Sequence, residues 1–410
     1  MNLTAGRIKK AANAALAVAV AAVFVASVQS CVARRDDFAQ YPTVDGVPPI
    51  PSDMRVLLAQ GPSCHVAVSG GYDIVAAGRT LFNDSRPLPS VGVQATPQGL
   101  VLGTQATGVR SVEVVPRSDA TLYVNGSAYR GKLLLRADSD DSLLAINVLP
   151  LDDYLAGVIS SEMPSYWQLD ALKAQAIAAR TYALYRARGR AAREYYLTAG
   201  TGDQVYKGID GETASGSRAV YQTRGLVLLY NWKILPAYYH SVCGGHTASR
   251  KAVFDQADIT PLSGVQCPYC DPERHGLKSS KYYRWEATVP ESQVLAGLAA
   301  KGRTVRRIAA VRPHNPGRSG HSRMLSLEPA EGDSFTISVD DFREIVGYGK
   351  LISNCFECRG ANGTLVCRGR GFGHGVGMCQ WGARGMAIDG SDFEEILRFY
   401  YSGAEIRRIY

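Results

Sequence analysis

VISSEMPSYWQLDALKAQAIAARTY, residues 158–182, sets a lone acid, Glu162, just ahead of a dense helical pattern. No other charge stands between Glu162 and Asp170. Over 169–188 apolar residues recur at spacings of three and four. Leu172, Ala176, Ala179 and Ala183 make a stripe that asks for a core. Pro164 and Ser165 supply turn and capping chemistry before it. Lys173 and Arg180 stand seven apart, hence on one face and two turns from each other. A carboxyl beside Met163, Tyr166 and Trp167 is poorly solvated, which raises its pKa and suits a general acid. A simpler reading pairs Glu162 with a base at the cap of an ordinary amphipathic helix. The stretch alone leaves both open.

Upstream, over 54–146, short alternating runs recur: MRVLLAQ, HVAVSG, YDIVAAG, VEVVP, TLYVNG, KLLLRA and LLAINVLP. Gly, Asn, Asp and Pro separate them, which predicts strands. Downstream of the helical section 151–193, GLVLLYNWKILPAYYHSV and YYRWEATV read as strands on either side of a Cys/His region. SQVLAGLAAKG reads as a short helix, RIAAVRPH and SRMLSLEP as strands, and 339–345 and 393–401 as helices. The expected class is α+β: a mixed, mostly antiparallel β-rich body with a central helical segment and a C-terminal Gly-rich loop plus helix. The expected division is a signal peptide over 1–31, a Pro-rich linker over 32–52, a β-rich region over 53–140, and a second unit over 141–410 with a Cys/His insertion at 240–275.

Arg7, Lys9 and Lys10 precede the apolar run 14–28, the pattern of an export leader. Val28-Gln-Ser-Cys31 resembles a lipobox, with Cys31 as the residue that would carry lipid. Plain cleavage after Ser30 or an uncleaved anchor are the alternatives. The expectation is an exported envelope protein, periplasmic or on the outer surface, tied to a membrane through its leader or a lipid on Cys31. A net charge of +8 spread over 410 residues fits an anionic polymer or membrane surface and is too dispersed for nucleic acid.

Nine cysteines are many unless the compartment is oxidising or metal is bound. His240, His246, Cys267 and Cys270 offer two pairs of soft ligands, with Cys243 as an alternate for either histidine. A structural zinc site follows, since no His-Glu-x-x-His pattern marks a catalytic one. A Cys267–Cys270 disulfide competes with it. For Cys355, Cys358, Cys367 and Cys379, a second metal site, disulfides and a redox pair all stay open. No Gly-x-Gly-x-x-Gly or P-loop register calls for an organic cofactor, and no Gly-x-Ser-x-Gly elbow marks a hydrolase. The glycines of 369–387 call for positive φ or close approach. Inside that loop His374 either meets a substrate or is held for structure.

Three blocks together carry a family resemblance. They are Glu162 with Ala171-Leu-Lys-Ala-Gln-Ala-Ile-Ala-Ala-Arg-Thr-Tyr182, then Gly202-Asp-Gln-Val-Tyr206 through His240-Ser-Val-Cys-Gly-Gly-His-Thr247, and last Gly369-Arg-Gly-Phe-Gly-His-Gly-Val-Gly-Met-Cys-Gln-Trp-Gly-Ala383 with Ile396-Leu397 and Tyr400-Tyr401. Over roughly 140–410 the chain resembles the SpoIID/LytB family, the sporulation stage II protein D group of exported peptidoglycan-acting proteins. The resemblance implies cleavage of peptidoglycan glycan strands by a lytic transglycosylase, or stimulation of a cell-wall amidase without cleavage. It maps the catalytic acid to Glu162. It gives substrate contacts to Lys173, Gln175, Arg180, Tyr182, His374 and Gln380, with Lys173 and Arg180 meeting lactyl carboxylates. It also implies that His240 and His246 serve as metal ligands. Cys379 departs from the family, whose loop carries serine there.

Overall fold

The computed structural model of the chain describes residues 50–276 and 280–410; the leader, Cys31 and the linker up to residue 49 lie outside them. Period-two sequence becomes period-two burial. Lys132–Ala137 and Ser63–Val68 each bury every second residue, as a strand with one face on a core must. Two sheets result. One runs, in spatial order, Leu197–Thr198, Met54–Gly61, Leu143–Leu149, Lys132–Ala137, Ser111–Pro116, Tyr72–Ala76 and Arg79–Asp84. The other is built on Ser63–Val68 and Leu88–Thr96. Val66, Val93, Leu100 and Leu122 of the second sheet meet Ile74, Val112, Leu133 and Leu135 of the first in a shared core. Leu143–Leu149 is buried at all seven positions, because its second face, Leu144, Ile146 and Val148, is covered by Leu57, Leu134 and Tyr195.

That helical part centres on Leu169–Gly189. Its extent agrees with the sequence pattern; its surroundings do not. Ala171, Ala174, Ala176, Ala178, Ala179 and Ala183 are all fully buried, so the helix is enclosed on every side rather than amphipathic. Alanine is what permits this. It keeps helix propensity high while letting neighbours approach closely. The neighbours are the helices Ala214–Gln222, Gln380–Ile388 and Phe393–Tyr400 and the strand Leu226–Tyr230. The cap differs from expectation too: Gln168, not Pro164 or Ser165, holds the N-cap position, with no side-chain bond. Ahead of it stands a separate helix, Leu151–Glu162, so Glu162 ends one helix rather than merely preceding another.

The 240–275 stretch has no core of its own: Val242, Cys243, Val253, Leu262, Cys267 and Cys270 pack into the same cluster as the central helix. The segment that does is 284–370. Its six strands run Arg284–Pro290, Thr364–Arg370, Phe356–Ala361, Ile308–His314, Met324–Pro329 and Phe335–Ser338 in spatial order. The helices Glu291–Ala300 and Val339–Val346 pack on them around Val294, Leu298, Phe342 and Leu365. Chain flow shows an insertion. Tyr239–His240 pairs in parallel with Met378–Cys379, and Glu405–Arg408 returns to Leu226–Tyr230. Apart from that parallel pair, a parallel contact of Met54–Gly61 with Leu197–Thr198, and isolated bridges, the named strands pair antiparallel, as expected of an α+β chain.

Candidate functional site

Glu162 occupies the last position of its helix, where Met163 turns extended at φ −126°. Unsatisfied carbonyls at a helix C-terminus give that end a partial negative charge, which disfavours a carboxylate there. The side chain is half-buried. Oε1 accepts a hydrogen bond from the Val205 N–H at 2.7 Å. Burial pushes the carboxyl above the usual glutamate range, while the Val205 N–H, Gln380 and Tyr239 pull it back in part. The net effect is upward. The Gln380 amide lies near enough to favour the ionised form, yet its Nε2 has no partner in full hydrogen-bond geometry.

A short network holds Tyr239 at the acid. Tyr154 donates from its hydroxyl to Gln204 Oε1 at 3.1 Å, and Gln204 Nε2 donates to the Tyr239 hydroxyl at 2.9 Å. With its lone pair so used, the Tyr239 hydroxyl has its proton to offer Glu162. The turn that delivers Val205 and Gln204 is fixed by Asp203, whose carboxylate binds Arg186, Arg190, the Thr198 hydroxyl and the Thr198 N–H. Beyond the acid, Trp167 and Trp381 pack edge to face at 4.9 Å. The Arg384 guanidinium sits 5.1 Å from both rings and 5.9 Å from Tyr166, which is exposed. Aromatic surface and one cation thus join the segment after Glu162 to the segment after Gln380.

Of the expected substrate contacts, Gln380 alone reaches Glu162. Arg180 is fully buried. It donates to the carbonyls of Thr223, Leu226 and Val220, to Asp152 and to the Tyr410 hydroxyl, so its role is structural. The enclosed helix has no open face from which Arg180 could meet a glycan. Lys173 pairs with Asp170 at 3.7 Å and lies 5.5 Å above the Phe393 ring. Gln175 is fully buried and neither amide atom finds a partner. Tyr182 packs its ring against Tyr238 and Tyr239, a layer removed from solvent. His374 is held for structure: Nδ1 accepts from the Val376 N–H at 3.0 Å, the ring also bonds to the Tyr239 backbone, and burial pushes its pKa down to about 4.

The expected metal ligands also regroup. The sulfurs of Cys243, Cys267, Cys270 and Cys379 all lie within 4.8 Å of one another. His240 and His246 are not among them. His240 Nδ1 lies 3.1 Å from the Val376 carbonyl, and His246 Nδ1 lies 2.7 Å from the Thr247 carbonyl. Burial holds His240 well below the usual histidine range, hence neutral. Cys358 and Cys367 form a disulfide across facing strands of the inserted module, and Cys355 remains a buried free thiol.

The residues that the sequence reading did not assign are Val205, Gln204, Tyr239 and Arg384. Val205 acts through its backbone, which no side-chain pattern reveals. Gln204 stood in view in the Gly202–Tyr206 block. A cavity of about 970 Å³ opens elsewhere, lined by Arg130, Asp152, Glu212, Arg224 and Tyr410, and Glu162 is not part of it. Among the described residues no helix is long and apolar enough to cross a membrane.

Comparison with known proteins gives two family matches and several relatives, of which three bear on the site. Residues 139–230 match the family described as Stage II sporulation protein, and residues 272–377 match a domain of unknown function, DUF8618, which spans the whole inserted module. An uncharacterised protein of Brachyspira hyodysenteriae is 32% identical over 75% of this chain and 80% of its own length. Stage II sporulation protein D of Bacillus subtilis is 31% identical over 64% of this chain and 76% of its own length. An amidase enhancer of Bacillus subtilis is 27% identical over 62% of this chain and 40% of its own length.

Proposed function

The chain belongs to the stage II sporulation protein D family, and from that membership we propose that it is a lytic transglycosylase of peptidoglycan glycan strands. A cell-wall-related role comes with the family. The transglycosylase reading rests on Glu162. Its proton is favoured by burial and by the helix terminus, and one oxygen is fixed by the Val205 N–H. Val205, Gln380 and Tyr239 are the groups that act on it, and none is a second acid. Hydrolysis with inversion or retention uses two carboxylates. One is enough when the nucleophile is the sugar's own C6 hydroxyl.

In that reaction Glu162 gives its proton to the glycosidic oxygen as the C1–O4 bond breaks between MurNAc and GlcNAc. The O6–C1 bond forms as the resulting carboxylate takes the O6 proton. The product is a 1,6-anhydro sugar, and the acid ends protonated as it began. Tyr239 and Gln380 stabilise the carboxylate midway. Tyr166 and Trp381 offer faces for sugar rings, and Arg384 offers the cation for a lactyl carboxylate, in place of Lys173 and Arg180. The protein acts at the cell envelope, and its polymer is the wall itself.

Purified glycan strands digested with wild type and Glu162→Gln decide the matter, with anhydro-muropeptides read by mass spectrometry. Wild type forms them and Glu162→Gln does not. Equal product from both overturns the reading. The relative named amidase enhancer supports a second reading, a glycan-bound activator of a cell-wall amidase. It is sustained if neither form makes anhydro product while both speed an amidase equally.

A further inference from the structure

Four cysteines from three parts of the chain converge on one point: Cys243 in the turn after Tyr239–His240, Cys267 and Cys270 in a Cys-Pro-Tyr-Cys knuckle, and Cys379 at the start of the helix Gln380–Ile388. All four are buried, none more than 1% exposed. A zinc–sulfur bond is about 2.3 Å, so four tetrahedral thiolates stand roughly 3.8 Å apart. The observed set fits that scale, with Cys243 and Cys270 at 3.4 Å and every pair inside 4.8 Å. The donors around the set fit as well. Cys379 Sγ accepts from the Gly382 N–H and the Cys243 N–H, each at 3.3 Å, and the Tyr400 hydroxyl lies 3.1 Å from Cys267 Sγ. Hydrogen bonds aimed at sulfur are how a protein supports thiolates bound to a metal.

The local backbone is shaped for this packing. Gly244 and Gly245 have φ of +67° and +107°, turning the chain directly after Cys243. A Cβ on Gly382 would fall 2.8 Å from Cys267 Sγ and closer still to the Tyr400 hydroxyl, so only glycine fits beside the cluster.

We propose that Cys243, Cys267, Cys270 and Cys379 bind one structural zinc ion, without His240 or His246. A pairwise disulfide scheme explains neither the convergence of all four sulfurs nor the donors directed at them. Four sulfurs with no oxygen or nitrogen ligand select zinc or iron, and a redox-inert ion suits a site with no open coordination position. The ion ties the Cys243 turn and the knuckle to the N-cap of the helix whose first residue is Gln380. It thereby holds the amide that faces Glu162, although metal content itself reads independently of any glycan cleavage.

The test uses the full chain purified without chelator. Elemental analysis is expected to find one zinc per chain, released by a mercurial together with four thiols. Exchange with cobalt is expected to give the intense visible absorption of a tetrahedral tetrathiolate site. Cys267→Ser and Cys379→Ser lose the metal, whereas His240→Ala and His246→Ala keep it. Should the cysteine variants fail to fold, the wild-type cobalt spectrum decides alone. Folded wild type without metal, or these four cysteines recovered as disulfides after alkylation under non-reducing conditions, overturns the site. Metal lost on His240→Ala overturns its ligand set, and iron in place of zinc overturns its identity.

Discussion

Replacing Arg180 with methionine separates a structural cation from a sugar-binding one. In wild type, Nη1 donates to the carbonyls of Thr223 at 2.8 Å and Leu226 at 3.3 Å, and Nη2 donates to Val220 at 3.2 Å and to Asp152 at 3.1 Å. Methionine refills much of the volume but leaves three carbonyls without that donor, each costing on the order of 1–3 kcal/mol if buried and unpaired. Two effects offset the loss. The desolvation of a buried guanidinium is relieved, and Asp152 keeps Arg224 at 3.3 Å. The net expectation is about 3–5 kcal/mol of destabilisation, the range for breaking a buried pair from one side. At roughly 2–4 °C per kcal/mol for a unit of this size, the thermal midpoint falls by roughly 6–20 °C. Differential scanning fluorimetry and urea titration measure it. Cleavage per folded molecule, assayed well below the midpoint, stays near wild type. The opposite pattern refutes the structural role: an unchanged midpoint with KM for peptide-bearing glycan raised about tenfold or more, as loss of a charge-assisted substrate bond requires.

Glu162→Gln lowers the anhydro-product rate by roughly 10²–10⁴-fold, the usual contribution of a positioned acid–base group. The same variant is more stable than wild type at neutral pH. The folded carboxyl binds its proton more tightly than the unfolded one, so wild type loses stability as pH rises through the raised pKa. Thermal midpoints of the two forms therefore converge as pH is lowered below the unfolded carboxyl's range; a gap that widens instead would contradict the raised pKa. Because the acid form starts the reaction, kcat/KM falls on the alkaline side of that pKa. Tyr239→Phe removes a donor to the carboxylate and moves that limb to higher pH, and an unmoved limb would show that the hydroxyl does not reach Glu162. Gly382→Ala forces a methyl group against the Tyr400 hydroxyl and Cys267 Sγ, with an expected loss of about 1–3 kcal/mol in urea titrations.

Strands were the easiest part to read because burial at period two is written directly into composition, as in Lys132–Ala137. The central helix is legible in extent and opaque in setting. An alanine-rich helix enclosed on all sides shows the same spacings as one with a single apolar face, so Arg180 looks like an outward cation. Its partners, three carbonyls, leave no mark on side-chain pattern. Glu162 is legible as an acid in poor solvent, but its immediate support is a backbone N–H from a turn 43 residues away in sequence. The proposed metal ligands differ from the expected set for a related reason. Histidines close in sequence to Cys267 and Cys270 look like partners, whereas the fold brings Cys379 from beyond the inserted module and ties the histidines to backbone carbonyls.

The module over 284–370 starts and stops on paired neighbours, Arg284 opposite Arg370. A segment whose two ends already touch can be excised, lengthened or exchanged as a cassette without stretching the host. Contacts with the host limit that freedom: the Ile352 carbonyl accepts from the Gly373 N–H, and Arg323 pairs with Asp255. His321 of the module is fully buried, and its ring occupies the space where a Cβ on Gly375 would lie, in the loop that leads to Gln380. A swapped cassette must therefore bring its own plug for that hole, or leave the glycine loop before Gln380 facing a void.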